Sequence, residues 1–173
     1  MAAATLQLSK KLMHHRYDLV LQAGIAGSCN DNFKTGDVVA VAKDSFGDIG
    51  SWEGQSFKSI ADIGLSHEPT WYHADTHWIS QCALPHVSGM TVATVTDNAS
   101  FNEVLKRRWH PDIESMEGAA LYYCCHQFHH PALQIRSVSN IAGDRNKANW
   151  DIETAIKNLN DFLAAFVGKL KHH

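Results

Sequence analysis

The chain has 173 residues, 45% of them hydrophobic and 19% charged, with 15 Lys and Arg against 18 Asp and Glu. That length suits one domain with its own core, and the composition excludes intrinsic disorder. The longest apolar runs fall well short of the ~20 residues a membrane-spanning helix needs, and scattered, outnumbered cations argue against a nucleic-acid surface.

Residues 6–17 show helical spacing, with Leu6, Leu8 and Leu12 set among Lys and His. Residues 18–24 read as a buried strand that runs into a glycine-rich turn, Gly24-Ile-Ala-Gly27. A second strand covers residues 36–42 after a turn-like start, and residues 46–50 form a glycine-punctuated loop or short strand. From 51 to 85 the pattern weakens into irregular structure with one short helix, holding Trp52, Trp71, Tyr72 and Trp78. Residues 87–95 are β-rich, 101–109 read as a helix and 114–128 as a longer one. Residues 132–139 form a strand with Pro131 at its entry, where a missing N–H is tolerated. A last helix runs from an Asp151 N-cap to Leu170, with Ile152, Ile156, Leu159, Phe162, Leu163 and Phe166 on one face. Strands alternating with helices predict a three-layer αβα sandwich around a mixed, mostly parallel sheet.

Four cysteines, Cys29, Cys82, Cys124 and Cys125, form no CxxC pair, which predicts reduced thiols in a cytoplasmic protein. Lys10, Lys11 and Arg16 follow the mildly apolar first residues rather than precede them, the wrong order for a secretory signal. His73 and His77 would share a helix face at i and i+4 and grip a metal there, but the Glu that metal hydrolases place directly after the first His is absent. A solvated surface pair is the simpler reading, and no metal is expected. The terminal His172 and His173 are assigned no role.

Two further patterns carry more. Glu114-Ser-Met-Glu-Gly-Ala-Ala120 sets two acids where they would favour a helix N-terminus. Arg136-Ser-Val-Ser-Asn140 puts polar groups at the end of a strand, where α/β folds keep their crevices. Alternation puts Arg136, Val138 and Asn140 on one face, with Ser137 and Ser139 on the other, unless the strand bends.

The Gly24–Gly27 segment, Gly36-Asp-Val-Val39, Ser-Met-Glu-Gly-Ala-Ala and Arg-Ser-Val-Ser-Asn, in that order, resemble the nucleoside phosphorylase and nucleosidase superfamily from about Asp18 onward. Residues 43–50 and 139–150 are similar to its futalosine hydrolase branch. The resemblance implies cleavage of a purine from C1′ of a ribose without metal or organic cofactor, by a homodimer or larger homo-oligomer. Glu117 would hold the ribose hydroxyls, Met116 pack on the sugar and Phe101 stack on the base. Gly24, Ile25, Ala26 and Gly27 would line the substrate. Arg136 and Ser139 would orient the attacking water. Asn140 would stand where adenine-cleaving relatives carry an Asp.

An Asn amide offers both a donor and an acceptor, which suits a 6-oxo group beside a ring N–H. That favours a hypoxanthine-type base, and the resemblance to the futalosine hydrolase branch implies the reaction futalosine to hypoxanthine and dehypoxanthine futalosine. Arg145 and Trp150 are candidates for the substrate's carboxylated aromatic tail. Gln22 and Ile25 stand where one phosphorylase branch has phosphate-binding Arg and Ser, so water is the expected nucleophile. The alternatives are a methylthioadenosine/S-adenosylhomocysteine nucleosidase and a non-catalytic purine-binding or oligomer subunit. The resemblance also implies a domain over residues 1–173 that is N-terminally incomplete by about one βα unit, roughly 30 residues or more. That unit would carry the water-activating acid, and its loss would leave a sheet edge or centre unpaired.

Overall fold

The computed structural model describes residues 1–170; His172 and His173 lie outside the described residues. In chain order the elements are α1 (Ala2–His14), β1 (Val20–Ser28), β2 (Val38–Phe46), β3 (Gly50–Glu53), β4 (Ser56–Ser59), β5 (Tyr72–His73) and α2 (Thr76–Ser80). Then follow β6 (His86–Thr91), α3 (Ala99–Trp109), β7 (Ile113–Ser115), α4 (Gly118–Phe128), β8 (Ala132–Ile141) and α5 (Ile152–Leu170).

The central sheet is mixed, in the order β5-β2-β6-β7-β1-β8, and helices flank it. The long β1–β8 and β2–β6 pairings are parallel, as is β6–β7, whereas β7 meets β1 antiparallel. Val38–Val41 of β2 also pair antiparallel with β8, which curls the sheet back on itself. Its apolar side chains form the main core, with Val39, Val41, Ile113, Leu133, Ile135 and Val138 essentially inaccessible. A second cluster of Phe57, Met90, Val92, Leu105 and Trp109 sits under α3 and the β3–β4 hairpin. Among the described residues, the β1 edge away from β8 is paired only at Gly27 and Ser28, by β7.

Four sequence expectations change. The Gly24–Gly27 segment is not a turn: β1 continues through it, because β8 pairs with it as far as Ser28. Glu114 does not open a helix. It lies in β7, which bridges β6 and β1, and α4 starts only at Gly118. His73 and His77 do not share a helix: His73 ends β5, and Asp75 caps α2 by accepting from the Trp78 amide at 3.1 Å. On α5 the buried stripe is Ala155, Leu159 and Phe166, while Ile152 and Ile156 face solvent. The segment around residues 51–59 is also more regular than expected. It is a hairpin turning at Gly54, whose φ of +62° is the left-handed region glycine enters without penalty.

Candidate active site

The strand ends of β1 and β8, the segment leading into α4, and the loop after β8 enclose a cavity of about 440 Å³. It is lined by Ile25, Ala26, Gly27, Glu114, Met116, Glu117, Ser139, Asn140, Arg145 and Trp150, with Val95, Ser115, Gly143, Asp144 and Lys147 around them. A larger groove of about 660 Å³ opens between β5 and the end of α4 and gathers His73, His126, His129 and His130. It contains none of the strand-end motif residues. Among the described residues no three His, Cys, Asp or Glu stand close enough to hold a metal ion.

A bulge builds the floor. Ala26 pairs with Val138 but Gly27 pairs with Asn140, so Ser139 is the extra residue. Strict alternation would have separated Ser139 from Asn140; the bulge brings both to the cavity. Ser139 Oγ lies 2.8 Å from Asn140 Oδ1, and Asn140 Nδ2 donates to the Ile141 carbonyl at 2.8 Å. Gly27 pairs with Asn140 on one side and Glu114 on the other, so these two polar residues flank a position without a side chain.

Glu117 occupies the N-cap of α4 and makes no side-chain capping bond. Its carboxylate therefore stands at a positive helix end with its acceptor sites open to a ligand. Met116, 39% exposed, is a large apolar side chain left at the cavity wall. In the loop after β8 the Arg145 guanidinium lies 5.4 Å from the Trp150 ring centre. Asp144 stiffens that loop, its carbonyl accepting from Trp150 Nε1 at 2.9 Å and its carboxylate from Asn149 Nδ2 at 2.7 Å.

Three expected site residues are not brought to this cavity. Phe101 packs on Trp52, with ring centres 4.3 Å apart, and the two line a separate pocket with Gly54 and Arg107. Gly24 lies one strand step short of the cavity, and a side chain there would strike Arg136 Nη1. Arg136 is buried beside it, where a guanidinium must find acceptors. Its Nε donates to Gln134 Oε1 at 2.6 Å and its Nη2 to Gln22 Oε1 at 2.8 Å. Burial lowers its pKa, and the nearby Asp44 and Glu117 carboxylates oppose that.

Sequence reasoning missed Glu114 and Asp44. Burial raises the Glu114 carboxyl above the usual range, Asp48 adds to this, and Lys106 and Arg145 oppose it. A carboxyl so placed exchanges its proton nearer neutrality than an ordinary Glu does. The one local hint is Gly118, a poor helix interior but a usable helix start; it does not record the strand pairing of Glu114. Asp44 sits wholly inside the protein against Gln134 and Thr91, and burial pushes it up to about 6.

This shift has a sign. The folded protein holds a proton on Asp44 up to about pH 6, while the unfolded chain releases it near 3.8, as an ordinary aspartate does. The associated stability is present below about pH 4 and lost as the pH rises to about 6, a change on the order of 3 kcal/mol. Denaturant titrations between pH 4 and 7 should show this fall in the wild type and not in Asp44→Asn. Parallel curves for the two proteins would contradict it.

The chain matches the model of the phosphorylase superfamily over residues 1–171. It is 31% identical to futalosine hydrolase of Streptomyces coelicolor over 159 residues, covering 89% of this chain and 65% of that enzyme. It is 27% identical to the 5′-methylthioadenosine/S-adenosylhomocysteine nucleosidase of Halalkalibacterium halodurans, covering 87% of this chain and 69% of that one. The fold resembles the structure of futalosine hydrolase from Helicobacter pylori, with a TM-score of 0.80 at 17% identity over 97% of this chain and 75% of that chain. No described helix is long and apolar enough to cross a membrane.

Proposed function

Because this chain belongs to the phosphorylase superfamily, we propose that it hydrolyses the N-glycosidic bond of a 6-oxopurine nucleoside, with futalosine as substrate and hypoxanthine as the released base. The observation that carries this is the pairing of Asn140 and Glu117 in one cavity, at the end of β8 and the start of α4. The bond breaks through an oxocarbenium-like transition state, with positive charge growing on the ribose and negative charge on the base. Glu117 answers the first. Its open carboxylate accepts the ribose hydroxyls and holds negative charge near the sugar.

Asn140 answers the second. Released from Ile141 and Ser139, its amide donates to the 6-oxo group and accepts from the neighbouring ring N–H as the base leaves. Ser139 takes over the water side, and Met116 packs on the sugar. The apolar Ile25 offers nothing to a phosphate, so water is the nucleophile. Arg145 and Trp150 in the loop after β8 suit a carboxylated aromatic tail. The protein works without metal or organic cofactor, in the cytoplasm, as a homodimer or larger. Light scattering that gives only the monomer mass would remove the oligomer from this reading.

Incubation with futalosine should release hypoxanthine, followed by chromatography. Adenine release from methylthioadenosine, faster than hypoxanthine release, would favour the adenine-nucleoside alternative that the Halalkalibacterium relative supports. Asn140→Asp should lower hypoxanthine release roughly 10²-fold, because its carboxylate meets the 6-oxo group with lone pairs and has no donor. Hypoxanthine binding by calorimetry without any turnover would leave a purine-binding subunit.

A further inference from the structure

Asp44 is the most enclosed charged group in the described core, and two glycines make room for it. A Cβ on Gly89 would lie 2.6 Å from Asp44 Oδ2, and one on Gly118 would press on the same oxygen. Two chains of hydrogen bonds end on this carboxylate. In the first, the Ala119 amide donates to Thr91 Oγ1 at 2.7 Å, and Thr91 Oγ1 donates to Asp44 Oδ1 at 3.0 Å. In the second, Arg136 Nε donates to Gln134 Oε1 at 2.6 Å, and Gln134 Nε2 donates to Asp44 Oδ2 at 3.1 Å.

Both chains run toward Asp44, and both begin at groups that can only donate, a backbone N–H and a guanidinium N–H. Neither chain can reverse. Both oxygens of Asp44 therefore receive a donor, and an ionised carboxylate, which only accepts, satisfies the two together best. Protonation weakens the acceptor at one oxygen and loosens that arm, and an Asn, with an NH2 in place of one oxygen, sets one donor against another.

The two arms end at elements of the candidate site. Ala119 is two residues from Glu117 in the first turn of α4, and Arg136 lies on β8, four residues before Asn140. We propose that Asp44 is a positioning residue: its carboxylate, through Thr91 and through Gln134, holds the Glu117 turn of α4 and the Arg136 guanidinium in register with each other. Its consequence for catalysis rests on the nucleosidase reading, but the coupling itself does not.

The coupling should follow the charge on Asp44. The groups facing Asp44 are Arg136 from β8, which favours the charge, and the Tyr122 hydroxyl from α4. Thr91 and the Ser45 backbone also bond to it, and burial opposes them all, so the group titrates at about 6.

The test follows the Ala119 amide and Arg136 Nε–H resonances of the ¹⁵N-labelled protein across this range, with no substrate present. In the wild type both should move with one midpoint, and in Asp44→Asn neither should. In Thr91→Val the Ala119 resonance should stop following the midpoint while Arg136 continues, and Thr91→Ser should restore both. Separate midpoints, or a shared midpoint that survives in Asp44→Asn, would overturn the coupling. In turnover, Thr91→Val should lower kcat about tenfold with KM little changed, and Thr91→Ser should recover it. An unchanged kcat would overturn the positioning role. Absence of purine release from the wild type would count against the functional reading alone, because the resonances are read without turnover.

Discussion

Glu117→Ala is expected to lower purine release by about 10³-fold while leaving the protein folded. Glu117 sits at the N-cap of α4 yet makes no capping bond, and it lines the cavity beside Met116 and Ser139. Its removal therefore costs the fold little, on the order of the few tenths to 1 kcal/mol that a negative charge contributes at a helix N-terminus. The cost to the reaction is larger. Under the proposed function this carboxylate holds the ribose hydroxyls, and its attraction to a sugar turning cationic would strengthen as the bond breaks. The loss should appear in kcat as well as in kcat/KM, with a melting temperature close to wild type. Wild-type rates in Glu117→Ala would take the sugar away from this residue.

Gly118→Ala, one residue further, should do the reverse and act on stability, by about 3 kcal/mol. Alanine is normally the better helix former by about 1 kcal/mol. Here its methyl would press on Asp44 Oδ2 and lie 2.5 Å from Gln134 Oε1. Both atoms are buried and already committed to hydrogen bonds, so neither can withdraw without leaving a partner unsatisfied. Gly168→Ala is the control. That glycine lies inside α5 with open space where an alanine methyl would stand, so the same change should stabilise by up to about 1 kcal/mol. Denaturant unfolding of both variants separates the two cases. A Gly118→Ala protein as stable as wild type would mean the glycine is not shaped around Asp44.

These contrasts show how far the residues alone could be read. The α5 helix and the β8 strand follow from apolar spacing, because period and polarity are local properties. Short motifs single out Glu117 and Asn140, and the structure puts both on one cavity. Glu114 was not legible in this way, because an acidic pair three residues apart looks like a helix start until the pairing of Ile113–Ser115 with β6 and β1 is known. The Gly24–Gly27 segment looked like a turn because glycine permits turns. In the structure, Gly24 instead makes room for a neighbouring guanidinium.

The sequence by itself determined that this is an α/β chain of the phosphorylase superfamily with a carboxylate and an amide at strand and helix ends. Only the tertiary structure decided which of its polar groups face the cavity. It sent Arg136 inward to Gln22 and Gln134, set Phe101 against Trp52, and used a one-residue bulge to bring Ser139 and Asn140 together. The reason is that a side chain's direction at a strand end depends on register and on what the neighbouring strands leave empty. Register is a long-range pairing between β1 and β8, more than a hundred residues apart, and no local pattern records it.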